Sequence, residues 1–177
     1  MDVSKTLYTS RLLIRPIEDD DITFVHRALS NPIIYNFLTI RYDTLEATKE
    51  QMEWYKHLSE SGKGFWWAIC DKNTNEFLGA CGFSGIIKEH QKAEGGYWLL
   101  PEYWGKGYIA EAFDTACEYA HKNMRIKRIE CVIEPENENS KKIMTKLNFK
   151  FEGRMRQAEI KDGKFIDIDV YSKLRNE

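Results

Sequence analysis

The chain has 177 residues, of which 42% are hydrophobic and 31% charged, and its 26 basic and 28 acidic side chains give a formal net charge of −2. This composition is typical of soluble globular proteins and excludes a disordered chain, and the length fits a single domain, which we place over residues 1–177. The nearly neutral balance excludes an overall field that attracts nucleic acid or a membrane surface, so neither is expected as a partner.

The N-terminal part of the chain predicts one strand followed by two helices. Residues 11–15 form a short apolar run typical of a strand, and a first helix is predicted to follow until Asn31-Pro32 ends it. A second helix is predicted to begin at Asp43 or Thr44, with Glu46 completing its cap.

Three strands are predicted next. Residues 65–70 and 77–83 are rich in aromatic and apolar side chains and flank a polar turn, which is typical of a hairpin. A further strand is predicted from about Lys92 to Leu100, where Pro101 follows.

A glycine turn, Trp104-Gly105-Lys106-Gly107-Tyr108, joins this strand to a helix whose apolar residues recur at spacings of three and four. Gly105 and Gly107 let the backbone take positive φ, so that successive N–H groups point at one anion, and the helix dipole adds positive potential there. The turn can therefore bind a diphosphate. The alternative is that the glycines serve chain geometry alone, since neither G-x-G-x-x-G nor G-x-x-x-x-G-K-[ST] is present.

The remainder of the chain predicts a strand at 128–133, a short helix after Asn137 and two final strands. Asn148 follows the short helix, and asparagine tolerates the left-handed conformation that ends a helix. Residues 166–171 alternate apolar and polar side chains, which is typical of a half-buried strand. The predicted order is β-α-α-β-β-β-α-β-α-β-β, and the fold class is α/β, with one domain around a mixed sheet.

Four cysteines, Cys70, Cys81, Cys117 and Cys131, are widely spaced, with no Cys-x-x-Cys and no histidine at metal-binding intervals. They predict free, buried thiols and no metal site, which suits a reducing cytosol. The chain has no hydrophobic leader and no long apolar run, so a cytoplasmic protein is expected.

Several segments of the chain together resemble one protein family. Pro101–Tyr108 is similar to the pyrophosphate-binding loop of the GNAT N-acetyltransferase superfamily, and Asn137–Ser140 with Lys146–Phe149 is similar to its N-x-x-S…K-L-G-F segment. Thr9–Pro16 and the Glu152-Gly153 step resemble the branch that contains the ribosomal-protein N-terminal acetyltransferases. The resemblance covers essentially the whole chain and implies a mixed, mostly antiparallel β-sheet flanked by helices.

The resemblance also implies acetyl-CoA as co-substrate. Its pantetheine arm is expected along Leu99 and Leu100, and Asn137 is expected to contact it. The pyrophosphate is expected at the turn, formed by Trp104, Gly105, Lys106, Gly107, Tyr108 and Ile109. Two alternatives stay open, in which Lys106 is only a solvated turn residue and Asn137 only a helix cap.

Three catalytic residues are implied, because acetyl transfer needs a neutral amine and a proton for the departing thiolate. Glu94 and Glu159 are equal candidates for the base, although Gly95-Gly96 can bulge the strand beside Glu94. Ser140 is expected to donate to the sulfur of CoA. The alternatives are a surface glutamate and a helix-capping serine. Many relatives carry a tyrosine general acid where this chain has Met144, so that acid is absent.

These features predict an acetyl-CoA-dependent N-acetyltransferase that acts on a primary amine, either a protein N-terminus or a small amine such as a polyamine. One or two aromatic residues are expected to line the acceptor pocket, from a set of six: Tyr35, Phe37, Trp54, Tyr55, Trp66 and Trp67. The alternative is a non-catalytic acyl-CoA-binding sensor or interaction protein of the same fold. A second copy of the chain is a further candidate partner, in a homodimer.

Overall fold

The computed structural model describes residues 5–176, and one eight-stranded sheet runs through them. Its strands are β1 (Leu7–Tyr8), β2 (Leu12–Pro16), β3 (Phe65–Asp71), β4 (Phe77–Ile87), β5 (Lys92–Leu99), β6 (Arg128–Ile133), β7 (Lys150–Lys161) and β8 (Lys164–Leu174). The α-helices are α1 (Ile22–Leu29), α2 (Pro32–Tyr35), α3 (Leu45–Ser61), α4 (Tyr108–Asn123) and α5 (Glu138–Lys146). Short 3₁₀ turns lie at Asp19–Asp21, Lys88–His90 and Pro101–Tyr103.

The strands lie in the order β1-β2-β3-β4-β5-β6-β8-β7, and only β5 and β6 are parallel among these described strands. The mixed, mostly antiparallel sheet predicted from the sequence is confirmed. β5 and β6 pair only over 92–94 and 128–130, and beyond this point the two strands separate. The separation leaves the second half of β5 with an unpaired edge.

Apolar side chains form a core on each face of the sheet. On one face, α1 and α3 pack on β3 and β4, and this core includes Tyr55 and Trp98. On the other face, α4 packs on β4 and β5 through the apolar face that the sequence predicts. Phe113 lies at its centre, with its ring centroid 5.9 Å from that of Phe83 and 5.1 Å from that of Tyr97.

The structure adds two short elements to the predicted order, β1 and α2. Asn31 caps α2, with its Oδ1 accepting a hydrogen bond from the Ile33 N–H at 3.0 Å. Pro32 occupies the first helical position, where an N–H would have no helical partner in any case. The Asn-Pro pair therefore ends one helix and also begins another.

The start of α3 confirms one half of its predicted cap. Thr44 is the capping residue, and its Oγ1 accepts from the Ala47 N–H at 3.1 Å. Glu46 lies one residue too early to complete a capping box, which needs the third helical position. Glu46 instead forms an exposed ion pair with Lys49 at 2.7 Å.

Gly95 and Gly96 do not form the strand bulge that the sequence predicts at this position. These glycines keep a regular register opposite Phe83 and Gly82, and the irregularity falls between Ser84 and Ile87 on β4. Gly95 serves packing, since a Cβ there would lie 2.6 Å from Phe113 Cζ. Because β5 is regular, the Glu94 side chain lies on the same side of the strand as Gly96 and Trp98.

The alternation predicted for the last strand is incomplete, because β8 lies inside the sheet between β6 and β7. Ile168 is buried, but so is Asp169, which is 2% exposed. Arg154 on β7 pairs with Asp169 at 2.6 Å, and this hydrogen bond holds the pKa of Asp169 below its ordinary range. The ion pair allows a carboxylate to face the interior.

Two local predictions are confirmed. Asn148 takes φ +60° immediately after the turn that ends α5, and all four cysteines are buried and free of disulfides. Within residues 5–176, no helix has both the length and the apolar character needed to cross a membrane. No group of three or more metal-ligating side chains in that same range is arranged to hold an ion.

Candidate active site

A cleft of about 780 Å³ opens where β5 and β6 separate. Residues 94–99 of β5 and 131–133 of β6 line it. The glycine turn and α5 contribute from one face of the sheet, and α2 and α3 contribute from the other. The fold thus brings site residues from both halves of the chain to one place.

The glycine turn carries backbone donors without a capping acceptor. Gly105 has φ +74° and Gly107 has φ +78°, a region that favours glycine. Gly107 is the N-cap residue of α4 and has no side chain to accept hydrogen bonds from the first helical turn. The first N–H groups of α4 are therefore available to an anion, which the helix dipole also favours.

Two cationic side chains approach the same turn. A Cβ built on Gly107 would lie 3.7 Å from Arg11 Nη2 and 3.9 Å from Lys146 Nζ. Arg11 lies in the segment before β2, and Lys146 is the last residue of α5. The turn thus combines uncapped amides with two positive charges, a donor set that fits a diphosphate.

Arg11 also fastens the N-terminal segment to the turn. Its guanidinium forms a 2.7 Å ion pair with Glu111 and donates to the Lys106 carbonyl at 3.1 Å. It lies 4.6 Å from the centroid of the Tyr108 ring. Partial burial alone would raise the pKa of Glu111, but hydrogen bonds from Thr9 and Arg11 outweigh it and the pKa is lowered. The ionised Glu111 therefore stays available as the anchor.

Both candidate bases, Glu94 and Glu159, line the same cleft. The Glu94 carboxyl reaches water through the cleft, yet burial by its walls raises the pKa, and the negative charges of Glu159 and Glu130 raise it further. Lys92 opposes this shift. A carboxyl with a raised pKa is better matched to accepting a proton near neutral pH than an ordinary surface glutamate.

Aromatic rings form the wall of the cleft on the α3 side. The Trp66 indole lies over Gly96, where a Cβ would come within 3.1 Å of the ring. The Trp54 and Tyr55 rings pack against Trp66 with centroids 6.1 and 5.5 Å away. Of the six aromatic residues named from the sequence, Phe37, Trp54, Tyr55 and Trp66 line the cleft, whereas Tyr35 and Trp67 do not.

Residues 11–150 match the acetyltransferase (GNAT) domain. The chain belongs to the GNAT acetyltransferase family. The predicted family and the predicted enzyme class, N-acetyltransferase, are therefore confirmed.

Relatives of this GNAT enzyme span nearly its whole length. The uncharacterized N-acetyltransferase p20 of Bacillus licheniformis is 33% identical over 174 residues, which is 98% of each chain. Spermidine N(1)-acetyltransferase of Escherichia coli K12 is 27% identical over 156 residues, 86% of this chain and 80% of that one. RimL, a ribosomal L7/L12 alpha-N-protein acetyltransferase solved with coenzyme A, has a TM-score of 0.86 at 20% identity, covering 96% of this chain and 98% of that one. The last likeness shows a common fold.

Only one of the two residues predicted to contact the pantetheine arm in this GNAT site lines the cleft. Leu99 lines the cleft, and its carbonyl accepts a hydrogen bond from the Trp104 indole N–H at 2.7 Å. Leu100 is fully buried, and its N–H donates to the Leu78 carbonyl at 2.9 Å. Because backbone groups alternate along an antiparallel pair, those of Leu99 point away from β4 and toward the cleft.

The turn residues differ in their exposure to the same cleft. Those that line it are Trp104, Gly105, Gly107, Tyr108 and Ile109. Ile109 nevertheless buries its side chain in the core and is 6% exposed, so it leaves the approach to the turn open. Lys106 lies outside the lining, with its ammonium 5.4 Å from the centroid of the Tyr103 ring.

The first turn of α5 brings Asn137 and Ser140 to the cleft. Asn137 is the helix cap, with its Oδ1 accepting from the Ser140 N–H at 3.1 Å. The cap uses the side-chain oxygen and leaves the NH₂ group of the amide for other acceptors. Ser140 is the third helical residue, so the alternative that its side chain caps the helix is wrong.

Met144 contributes nothing to the cleft, because it is fully buried in the core under α5. Sequence reasoning missed Tyr97, which lines the cleft from β5, and Arg11 at the turn. A signal for Tyr97 was present, since it precedes Leu99 by two residues and strand periodicity puts both on one side. No comparable local pattern points to Arg11.

Proposed function

We propose that this GNAT enzyme transfers the acetyl group of acetyl-CoA to a primary amine. The observation that carries the proposal is a single cleft with an uncapped, cationic glycine turn and two nearby carboxylates. The turn suits the diphosphate of CoA, and the carboxylates suit an ammonium group. RimL has been solved with coenzyme A, and the Escherichia coli relative is named for an amine, spermidine.

The acetyl-CoA contacts follow from the donors at the turn. The diphosphate accepts hydrogen bonds from the amides of Gly105 through Ile109, and Arg11 and Lys146 supply positive charge. The pantetheine arm runs along the unpaired edge of β5, beside Leu99 and the amide of Asn137. In this arrangement Leu100 supports the strand from the core, since its own N–H is already bonded to Leu78.

Glu94 is the proposed base for the amine, and Glu159 assists by raising its pKa. The two sides of β5 then have separate tasks. Glu94 lies on the side of Trp66 and Gly96, where the acceptor enters, and removes the ammonium proton directly or through one water. Ser140, on α5, donates a hydrogen bond to the sulfur as the C–S bond breaks.

The acceptor is a cationic primary amine: a polyamine, another small amine or a protein N-terminus. Carboxylates attract the ammonium form, and the faces of Trp54 and Trp66 suit the alkyl chain and the positive charge that it carries. Homodimer formation and a cytoplasmic location stay predictions.

An acetylation screen tests the proposal. Wild-type enzyme, acetyl-CoA and a panel of diamines, polyamines and peptide N-termini are mixed, and products are followed by mass spectrometry and by thiol release. Glu94→Gln should lower kcat by roughly a hundredfold or more, the usual contribution of a general base, with the Kd of acetyl-CoA nearly unchanged.

Glu89→Gln provides the matched control, because Glu89 is an exposed glutamate in the 3₁₀ turn before β5. It should retain wild-type kcat. Acetyl-CoA binding without transfer to any amine would contradict the proposal and favour a non-catalytic acyl-CoA-binding sensor. Full activity of Glu94→Gln with loss of activity in Glu159→Gln would reassign the base to Glu159.

A further inference from the structure

Tyr97 has a buried hydroxyl group with no hydrogen-bond partner. Its Oη is one of only three buried side-chain polar atoms in residues 5–176 that lack one. A buried phenol that stays unsatisfied costs the fold on the order of 1–3 kcal/mol, so its retention in a cleft needs a reason. Phenylalanine would fill the same space without this cost.

The Tyr97 hydroxyl lies beside Ser140. Tyr97 belongs to β5 and lines the cleft on the α4 side, where its ring packs on Phe113 with centroids 5.1 Å apart. Burial raises the pKa of Tyr97, and the Ser140 side chain is close enough to oppose that shift, although the two hydroxyls do not form a well-aligned bond.

The chemistry of this position favours a hydrogen-bond donor over an acid. Because burial raises its pKa far above neutral, Tyr97 remains protonated at every working pH and does not give up its proton. The hydroxyl of Ser140 has one hydrogen, which can point at Tyr97 or at the sulfur of CoA, but not at both. A donor placed behind Ser140 therefore decides where that hydrogen points.

We propose that Tyr97 is a positioning residue whose Oη–H donates to Ser140 Oγ and so directs the Ser140 hydroxyl at the sulfur of the acetyl thioester. The inference rests on the proposed function. During transfer the amine nitrogen bonds to the acetyl carbon, its proton leaves to Glu94, and the C–S bond breaks with both electrons on sulfur. The thiolate receives a hydrogen bond from Ser140 and later takes its proton from water. No proton leaves Tyr97.

The place of Met144 agrees with this assignment. Met144 is fully buried in the core, so it offers no group to the thiolate. Tyr97 on β5 and Ser140 on α5 each contribute a hydroxyl group to this side of the cleft. They stabilise the departing sulfur as an anion, whereas a general acid would protonate it.

Calorimetry with CoA and desulfo-CoA tests the inference without any acceptor amine. At about pH 8.5 part of the CoA thiol is ionised, and wild type should bind CoA more tightly than desulfo-CoA. Tyr97→Phe and Ser140→Ala should each reduce that preference by roughly fivefold, the value of one hydrogen bond, and the double variant should reduce it no further. Tyr171→Phe is the control, because it removes another phenol outside the cleft, and should keep the full preference.

Turnover and stability supply two more readouts. Tyr97→Phe should lower kcat by roughly tenfold with little change in the KM of acetyl-CoA, and the effects of Tyr97→Phe and Ser140→Ala should not add. The Tm of the Tyr97→Phe variant should equal or exceed that of wild type, because the substitution removes an unsatisfied buried hydroxyl group. A purely structural tyrosine would give a lower Tm and additive losses.

These outcomes separate the inference from the proposed function. A preference for CoA that depends on both Tyr97 and Ser140 supports the inference even if none of the amines is acetylated. Equal binding of CoA and desulfo-CoA by wild type, or an unchanged preference in Tyr97→Phe, would overturn it whatever the acceptor proves to be.

Discussion

Glu94 and Glu159 illustrate how single residues acquire properties that their local sequence does not contain. Glu94 lies on β5 and Glu159 near the tip of the β7–β8 hairpin, yet both face one cleft. Burial and the charge of Glu159 raise the pKa of Glu94. The two residues named from the sequence as rival bases are therefore electrostatically coupled, with different proposed tasks.

This coupling predicts a shift in the pH profile. A base must be ionised, so kcat/KM should rise with pH through the pKa of Glu94. Glu159→Gln removes a negative charge that raises this pKa, so the acidic limb should move to lower pH while the plateau rate stays within a few-fold of wild type. The check is kcat/KM for one amine at saturating acetyl-CoA from pH 5 to 9, and Glu89→Gln should leave the profile in place. An acidic limb that stays fixed in Glu159→Gln would contradict the assignment.

The candidate site was predictable where its residues form local motifs. The turn glycines, Asn137 and Ser140 stand at spacings that carry their own meaning, and the structure brings them to one cleft. The approach of Arg11 to Gly107 depends on how β2 lies against α4, which no local pattern encodes. The unpaired hydroxyl of Tyr97 is likewise a property of tertiary packing.

Among the secondary-structure elements, the junction of β5, the glycine turn and α4 depends on the segment before β2. Arg11 connects this segment to the turn through Lys106 and to the first turn of α4 through Glu111. A turn rich in glycine loses much conformational freedom when it is ordered. The Arg11 contacts restrict the turn before any ligand arrives.

Removing the Arg11 charge should weaken CoA binding. Arg11→Met eliminates one cation beside Gly107 and the hydrogen bond to the Lys106 carbonyl, so Kd for CoA should rise about tenfold, equivalent to about 1.4 kcal/mol. Lys122→Met removes one positive charge at the opposite end of α4, where Lys122 pairs with Glu118, and should leave Kd unchanged. Calorimetry provides the comparison. An equal effect of both substitutions would indicate a general loss of charge and contradict a local role.

The order of elements was largely predictable, because long amphipathic and alternating segments carry strong signals. The missed elements are short: β1 has two residues and α2 one turn. Beyond the predicted hairpin of β3 and β4, strand pairing was not predictable from the sequence alone. The position of β8 between β6 and β7 buries Asp169 within a pattern that is typical of a half-exposed strand.

The whole molecule is organised around the point where its sheet divides. Two separate cores, one under α1 and α3 and one under α4, hold the two sides of β5 in place while its edge stays unpaired. Both cores contain cysteine: Cys70 lies in the first and Cys81, Cys117 and Cys131 in the second. The reactivity of the four thiols therefore indicates whether both cores are intact.

Thiol chemistry should distinguish the folded from the unfolded chain. Burial raises the pKa of Cys70 to about 11 and of Cys81 to about 12, and holds the pKa values of the other two above the ordinary range. A thiol reagent at pH 8 should react with none of the four in native protein within minutes and with all four in denaturant. Glu60→Cys, which adds a thiol on the exposed side of α3, should react at once in the native state. Rapid labelling of native Cys70, Cys81 or Cys117, which do not line the cleft, would contradict two closed cores.

The hydrogen bond between the Trp104 indole and the Leu99 carbonyl has a practical consequence. A ligand amide that donates to that carbonyl shares the oxygen with the indole, because the oxygen has two lone pairs and the indole N–H, at 2.7 Å, uses one of them. Trp104 is 39% exposed, so a ligand that approaches this oxygen changes the surroundings of the ring. Its fluorescence emission should then change with occupancy, which gives the enzyme a built-in optical reporter that needs no attached dye.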